Sequence, residues 1–470
     1  MAFTTGTAPG AFPVAGHAWS LVRRPLDFLE SLPRYGDLVE VRLGPARAYV
    51  PCHPELLWRV LTDDRTFDKE GLFYRRIRAT LGNSVGSCPY ADHRRQRRLL
   101  QPAFHPARLE RYSGVMEQEI TALTERWCDG QVIDAFPALY GAALRTVMRS
   151  LFSTSADAGT VALIRSSVET VLDQTLKRLF VPPPLQQVPC PANRRFQRAL
   201  RDLRHGVGTV VADYRAGGRD QGDLLSMLIS ARDEGAGHAD DGATRLDDDE
   251  IRDQILIMFT AGAESVATNV CWALYLLARH PDAARRLRAE ADAVLGGRPA
   301  DGGDVPDLPY TARVVNEALR LYPPGWLFPR VTTAETELAG RRLPAGTTVL
   351  FSAPVVHRQA ALYERPEVFE PDRWLPERVR TLPRGAFVPF GGGARKCIGD
   401  SYGMTESVLA LAAIVGRWQV SLAPGTDSRP VAVSLALRPR RLLLRLTGRA
   451  AADGARPRPP QGPGARRSSS

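Results

Sequence analysis

The stretch FGGGARKCIG, Phe390 to Gly399, decides how this chain is read. Cys397 follows two cations, Arg395 and Lys396, and a helix-forming run from Met404 to Trp418 comes after it. The start of a helix presents unpaired N–H groups and a partial positive charge. A thiol placed there, beside Arg and Lys, is expected to ionise easily. Three consecutive glycines let the backbone approach something flat or bulky without Cβ interference. These features leave three roles open for Cys397: a buried structural thiol beside a turn, a redox or nucleophilic thiol, or an axial metal ligand. No second cysteine stands at metal-site spacing, which argues against tetrahedral zinc.

A chain of 470 residues has room for two or three ordinary domains or one large one. Its 44% hydrophobic and 24% charged residues are typical of a soluble globular protein. The net charge of +11 invites a nucleic-acid reading. However, Arg449, Arg456, Arg458, Arg466 and Arg467 against Asp453 supply four of those eleven charges from the last 22 residues. No basic run alternates with aromatics, as a single-strand groove requires. Acidic redox partners are the expected use of the excess charge, and nucleic acid is not expected. The six cysteines are scattered without a CxxC pair, which points to a reducing compartment. MAFTTGTAPGAFPVAGH has neither a cationic start nor a long apolar run, and no stretch of about 18 apolar residues is found. A soluble cytoplasmic protein without a membrane anchor is therefore expected.

Along the chain, an irregular lead-in to Gly16 precedes helices over Pro25–Leu32 and Pro54–Leu61. Leu38–Val50 alternates around Gly44-Pro45 and reads as a hairpin. Gly71–Tyr90 reads as a long ordered loop whose Leu72, Phe73, Ile77 and Leu81 either line a pocket or pack in the core. Ala91–Phe104 places His93 and Arg97 on one helical face, as an anion clamp or a solvated basic face. Residues 108–180, 192–216 and 222–233 read as helical, and prolines break the helix in Val181–Ala192. Ala312–Leu321 is a short helix stopped by Pro323-Pro324, with Glu317 and Arg320 three apart. Val431–Leu446 reads as a final hairpin, and residues 449–470 as a disordered Arg/Pro/Gly/Ser tail after a single domain, 1–448.

Asp247–His280 is the longest helical candidate, with acids crowding its first turn and Pro281 ending it. About 30 residues at about 1.5 Å each span about 45 Å, enough to cross a domain. Ile255–Phe259 is apolar all round, and Thr260-Ala261-Gly262-Ala263-Glu264-Ser265 follows. A buried carboxylate beside a hydroxyl is expensive without partners, and Gly262 weakens the helix by about 1 kcal/mol. Either a functional site or a packing kink accounts for that cluster.

With these motifs in hand, the chain resembles the cytochrome P450 family from about Pro9 to Leu446. Phe390, Gly393, Arg395, Cys397 and Gly399 match its haem-binding loop F-x-x-G-x-R-x-C-x-G. The resemblance implies a mainly α fold with small β-sheets, haem b between the long central helix and the cysteine loop, and Cys397 as the axial thiolate. It implies that His93, Arg97, Arg330 and Arg395 bind the haem propionates. Glu264 and Ser265 match the family's acid–alcohol pair, on a locally distorted turn, which helps deliver protons during oxygen activation. Serine stands where threonine is usual and lacks the methyl that restrains χ1, so more uncoupled turnover is expected. Glu317 and Arg320 match E-x-x-R, and Phe369, Pro371, Arg373 and Trp374 match F-x-P-x-R-W. Together Glu317, Arg320 and Arg373 imply a buried structural network. His357-Arg358-Gln359 resembles a structural H-R-D-x motif, with Gln359 where aspartate is usual. The pocket is expected to draw on Leu72, Phe73, Ile77, Phe259, Ala261, Trp326, Leu327 and Leu435. The Pro-rich segment Val181–Ala192 falls where the family has a mobile lid.

The implied activity is monooxygenation by O2, with electrons from a separate ferredoxin and ferredoxin reductase. HRRQRRLLQPAF, MEQEITALTERW, PANRRF and PDRWLPER resemble bacterial members that oxidise sesquiterpenes. A hydrophobic small molecule, and among these a terpenoid, is thus the expected substrate. Macrolides, polyketides and fatty acids are alternatives, as are a peroxide-driven peroxygenase and a non-catalytic haem-binding electron-transfer protein.

Overall fold

The central helix, Asp248–Arg279, is the axis of the computed structural model. The structure describes residues 3–151, 158–179, 181, 186, 188–217, 223–231, 245–431, 434 and 436–449. A capping box starts the central helix: Glu250 N–H donates to Asp247 Oδ1 at 2.7 Å, and Asp247 N–H donates to Glu250 Oε2 at 3.1 Å. Arg95, from the helix Tyr90–Leu100, pairs with Glu250 at 2.5 Å. From Val266 to Leu277 every residue is buried, because helices pack on all sides: Ala135–Leu151, Pro309–Leu321 and the cysteine helix Asp400–Arg417. Trp272 stacks on Tyr322 with centroids 3.9 Å apart and donates to the Leu437 carbonyl at 2.7 Å. By length and composition this helix alone among the described residues is apolar enough to cross a membrane, yet 67% of its apolar window is buried in the fold.

The strands in chain order are β1 (Thr5–Thr7), β2 (Leu38–Leu43), β3 (Ala46–Pro51), β4 (Phe67–Asp68), β5 (Val132–Asp134), β6 (Phe328–Thr332), β7 (Thr336–Leu338) and β8 (Arg341–Leu343). Then come β9 (Thr348–Phe351), β10 (Trp418–Leu422), β11 (Asp427–Pro430), β12 (Pro439–Arg441) and β13 (Leu443–Gly448). The largest sheet has the order β1-β2-β3-β9-β6-β4. Its β2–β3 hairpin turns at Gly44-Pro45 as expected, with Leu43 opposite Ala46. The edge strand β4 lies antiparallel to β6, Asp68 opposite Val331, which brings the residue after β4 close to Arg330.

Several expectations are corrected. The lead-in contains β1, which pairs in parallel with β2. Gly71–Leu81 is a helix: Tyr74, Ile77 and Leu81 recur on one buried face, a period hidden by three arginines between them. Val431–Leu446 is no self-contained hairpin, since β12 pairs with β11 while β13 joins β10 and β5. Residues 182–185 and 187 of Val181–Ala192, residues 232–244, Leu435 and residues 450–470 lie outside the described residues. Arg449 is described, and donates to the Val415 and Gly416 carbonyls and to Asp292.

Candidate functional site around Cys397

The cysteine loop is held by backbone contacts on both sides. Cys397 N–H donates to the Phe390 carbonyl at 2.9 Å, closing the loop, and Gly393–Arg395 forms one 3₁₀ turn within it. The glycines serve close packing against the neighbouring helix Pro54–Thr62. A Cβ on Gly392 would meet Trp58 at 2.8 Å, and one on Gly393, whose φ is +64°, would meet the Leu61 carbonyl oxygen at 2.5 Å. A Cβ on Gly391, whose φ is +72°, would meet nothing within 4 Å. A Cβ on Gly399 would meet Phe104 only at 3.7 Å.

Cys397 does not ionise easily, contrary to expectation. Burial by the surrounding protein pushes its thiol pKa up, and Asp400 adds to this against the Gly399 N–H, Arg97 and Lys69. Two structural facts explain the failure. The helix begins at Asp400, beyond the thiol, and both flanking cations are spent elsewhere. Lys396 pairs with Asp400, and Arg395 pairs with Asp68 at 2.8 Å and Asp64 at 3.3 Å while donating to the Cys88 carbonyl at 2.7 Å. Nonetheless Cys397 as a residue is exposed to solvent. All six cysteines are free, and no three His, Cys, Asp or Glu side chains gather as a metal cluster among the described residues.

Beside the thiol lies an excess of buried positive charge. His93, Lys69, Arg330 and Arg395 are each at most 9% exposed. Burial and then Arg395, Lys69, Arg97 and Arg330 depress the His93 pKa to about 3, so its imidazole is neutral. Its Nδ1 is buried without a hydrogen-bond partner. Arg97 donates to Gln101 Oε1 at 3.0 Å and to the Lys396 carbonyl. Arg330 donates to the Tyr74 hydroxyl at 3.0 Å. Asp64 and Asp68 both pair with Arg395, and among the described residues no carboxylate pairs with Lys69, Arg97 or Arg330. Buried charge of one sign is costly unless an opposite charge joins it. A ligand carrying carboxylates and a thiolate-seeking metal fits this donor set, as haem does.

On the central helix, the accessible positions Ile257, Met258, Ala261, Glu264 and Ser265 recur every three or four residues, a stripe on an otherwise buried rod. The expected distortion there is absent: the helix runs unbroken from Asp248 to Arg279. Gly262 serves packing, since a Cβ on it would lie 3.1 Å from Val147 of the helix Ala135–Leu151. Glu264 and Ser265 have separate partners. Ser434 Oγ donates to Glu264 Oε1 at 2.8 Å, and Ser265 Oγ donates to the Ala261 carbonyl at 2.7 Å. Burial raises the Glu264 pKa, opposed by Ser434, Arg438 and the Ala436 N–H. Ser434 carries no motif, and nothing in the residue pattern signals its pairing across 170 residues.

Glu317, Arg320 and Arg373 come together in a buried network. Glu317 pairs with Arg320 at 2.8 Å and Arg373 at 3.3 Å, and accepts from Trp374 Nε1 at 3.0 Å. His357 joins this network to the cysteine loop: its Nε2 accepts from Val388 N–H at 2.9 Å, and its other ring nitrogen meets the Arg320 carbonyl at 3.3 Å. Gln359 donates to the Val355 carbonyl at 2.8 Å, which fits the structural part expected of it.

The expected pocket residues are dispersed. Leu72 is 58% exposed on the outer surface, while Ile77 and Phe259 are buried in the main core, with Phe73 packed against it. Trp326 and Leu327 belong to a second core beneath the large sheet. Ala261 alone of the described set is open on the accessible stripe of the central helix.

An exposed cysteine, buried cations without counter-charges and a long helix carrying an acid and an alcohol define a haem-thiolate enzyme. The cytochrome P450 family profile matches residues 8–446. "Pentalenene oxygenase" of Streptomyces avermitilis is 50% identical over 447 residues, covering 95% of this chain and 98% of that one. "Cyclooctatin synthase" of Streptomyces melanosporofaciens is 48% identical, covering 90% and 91%. The crystal structure of the cytochrome P450DA heme domain superposes with a TM-score of 0.84 at 25% identity, covering 96% and 99%. The chain belongs to the cytochrome P450 family and is a monooxygenase of that family, with haem on a cysteine thiolate.

Proposed function

We propose that this protein hydroxylates a terpene hydrocarbon in bacterial secondary metabolism, as a cytoplasmic haem b enzyme served by a ferredoxin and its reductase. The observation that carries the cofactor part is the exposed Cys397 beside cations that no carboxylate of the described chain pairs. For the substrate class, support comes from 50% identity to a protein named pentalenene oxygenase, together with a stripe on the central helix that is apolar except at Glu264 and Ser265. Haem in this site supplies O2 activation: two electrons and two protons are consumed, one oxygen atom enters a C–H bond and the other leaves as water.

The chain's own residues divide the remaining work. Cys397 ligates the metal, and metal binding overcomes the raised thiol pKa. Arg97, Arg330 and the His93 imidazole hold carboxylates, and Arg395 secures the loop through Asp64 and Asp68. Glu264 exchanges protons from a position set by Ser434, and Ser265 offers its hydroxyl on the same helical face as Ala261. The Glu317 network fixes the segments that lead to Cys397.

Ferrous carbonyl spectroscopy, followed by a spin-state titration with sesquiterpene and diterpene hydrocarbons, tests this reading. A red-displaced carbonyl band and a substrate-induced spin shift are expected. A colourless protein would overturn the cofactor reading, and a shift with fatty acids or polyketides but no terpene would overturn the substrate class. Turnover supported by peroxide alone, and not by NADPH with the two partner proteins, would make it a peroxygenase.

A further inference from the structure

Tyr140 carries no motif, and its hydroxyl is buried without a hydrogen-bond partner. The residue lies on the helix Ala135–Leu151, which packs along the central helix with Val147 against Gly262. Its ring stacks on Phe136 with centroids 5.8 Å apart, and the Arg438 guanidinium lies 4.6 Å from the Phe136 centroid. Arg438 belongs to the C-terminal segment that brings Ser434 to Glu264, a segment pinned by Trp272 through the Leu437 carbonyl. About one turn beyond Glu264, on the same face of the central helix, the Thr268 hydroxyl is buried and unpartnered as well. A buried hydroxyl left unpaired costs about 1–3 kcal/mol. Phenylalanine at position 140 would keep the ring stack without that cost, so packing does not account for the tyrosine.

Two carboxylates act on this hydroxyl. Burial holds the Tyr140 proton above the ordinary phenol range, and Glu264 and then Glu169 add to the effect. Glu264 sits on the central helix, whereas Glu169 is exposed to solvent on the helix Ala158–Leu179. Tyr140 is therefore within electrostatic reach of both an acid of the site and an acid at the surface.

We propose that Tyr140 is a positioning residue for the oxygenation, its hydroxyl passing protons from water beside Glu169 to Glu264. This rests on the haem-thiolate reading above. The groups that face Glu264 are Ser434, the Ala436 N–H and Arg438 from the C-terminal segment, and Tyr140 from the helix Ala135–Leu151. Burial favours the acid form of Glu264, while Ser434, Arg438 and the Ala436 N–H favour the carboxylate, so the residue can both hold and release a proton. Because Tyr140 keeps its proton, it relays by exchange. The hydroxyl donates its proton towards the Glu264 carboxylate as its oxygen accepts another from water on the Glu169 side. No electron moves, and one proton goes inward for each that Glu264 gives up. One bridging water completes the contact with Glu264. Such a water needs about two to four polar partners, and Tyr140, Glu264 and Thr268 supply three.

The test uses the holoenzyme with a terpene that it oxidises, NADPH and the two redox proteins. Tyr140→Phe is expected to lower the product-to-peroxide ratio at least about threefold and to enlarge the solvent deuterium isotope effect on product formation, at an unchanged carbonyl band. Glu169→Gln is expected to shift both in the same direction. Glu264→Gln is expected to cost at least as much as Tyr140→Phe, and the two together no more than Glu264→Gln alone, because both act at one step. Infrared difference spectra give a readout independent of turnover: the Glu264 carboxyl band, identified by its loss in Glu264→Gln, is expected to move in Tyr140→Phe. If Tyr140 serves packing alone, losing its hydroxyl will leave the ratio, the isotope effect and the band unchanged, and the proposal fails. Additive losses in the double variant would overturn it equally, and a Glu169→Gln enzyme indistinguishable from wild type would overturn entry beside Glu169. A wild type without the red-displaced carbonyl band would overturn the haem-thiolate reading instead. A wild type with that band but no terpene turnover would overturn the substrate class alone, and the infrared band would then decide the role of Tyr140.

Discussion

The cysteine side of the molecule and the accessible face of the central helix are built on opposite plans. On the cysteine side the Glu317 network is locked: Glu317 alone accepts from Arg320, Arg373, Trp374 and the Glu370 N–H. On the central helix Ala261 stands open, Ser265 bonds only back into its own turn, and Glu264 is held by a serine from the C-terminal segment. A group that never varies rewards fixed geometry, and a face that must accept a particular hydrocarbon does not. Substitutions on the first side should therefore destroy, and those on the second should retune.

Cys397→Ser should have the largest effect. It should abolish the red-displaced ferrous carbonyl band and reduce oxygenation to background, since a hydroxyl at this position is a far weaker donor than a thiolate. Retained thiolate-type absorption would place the ligand elsewhere. Glu317→Gln should follow. It leaves Arg320, fully buried, and Arg373 without their carboxylate, at a cost of about 3–5 kcal/mol. Urea unfolding of the holoenzyme would show it as a lower midpoint; an unmoved midpoint would mean that the carbonyls of His357 and Pro366 suffice for Arg320.

This contrast also explains what the sequence made legible. Fixed intervals gave the cysteine loop, the Glu317–Arg320–Arg373 network and the His93–Arg97 face, because each spacing encodes a geometry that few others satisfy. Lys69 and Ser434 were invisible for the opposite reason. A lysine just after a two-residue strand, or a serine 170 residues from its partner, acquires meaning only through tertiary contact. Pocket residues carry no such spacing, since an apolar residue looks the same whether it faces core or recess. Phe259 is fully buried and Leu72 is exposed, although both are apolar. At Gly262 a Cβ would lie 3.1 Å from Val147, a packing reason that the sequence alone does not show.

Between the two sides lies Glu406, on the cysteine helix, at a small cavity of about 20 Å³ lined in part by Val266, Ala267 and Val270 of the central helix. Its Oε2 has no partner, and burial raises its pKa to about 8 against a hydrogen bond from Thr146. Because the folded state holds this proton well above the ordinary glutamate range, stability should fall as pH rises from about 4.5 to about 8. Glu406→Gln should remove that slope and raise stability at pH 8.5 by as much as a few kcal/mol. Thermal unfolding across pH measures this, and a slope shared by wild type and variant would exclude Glu406 as its source.

Ser265→Thr should have the smallest effect and is the sharpest test of the retunable face. The hydroxyl now donates to the Ala261 carbonyl at 2.7 Å, with the Gly262 carbonyl at 3.3 Å as a second acceptor, a geometry that threonine can reproduce. The added methyl leaves fewer χ1 states open, which is worth about 1 kcal/mol, or about fivefold in the populations of competing rotamers. The expected outcome is a lower share of peroxide relative to product at unchanged carbonyl spectrum and unchanged thermal midpoint. An unaltered product-to-peroxide ratio would show that the Ala261 carbonyl already fixes the serine rotamer. The accessible face would then be as rigid at this residue as the cysteine side, and the contrast between the two would fail at the position where it matters most for coupling.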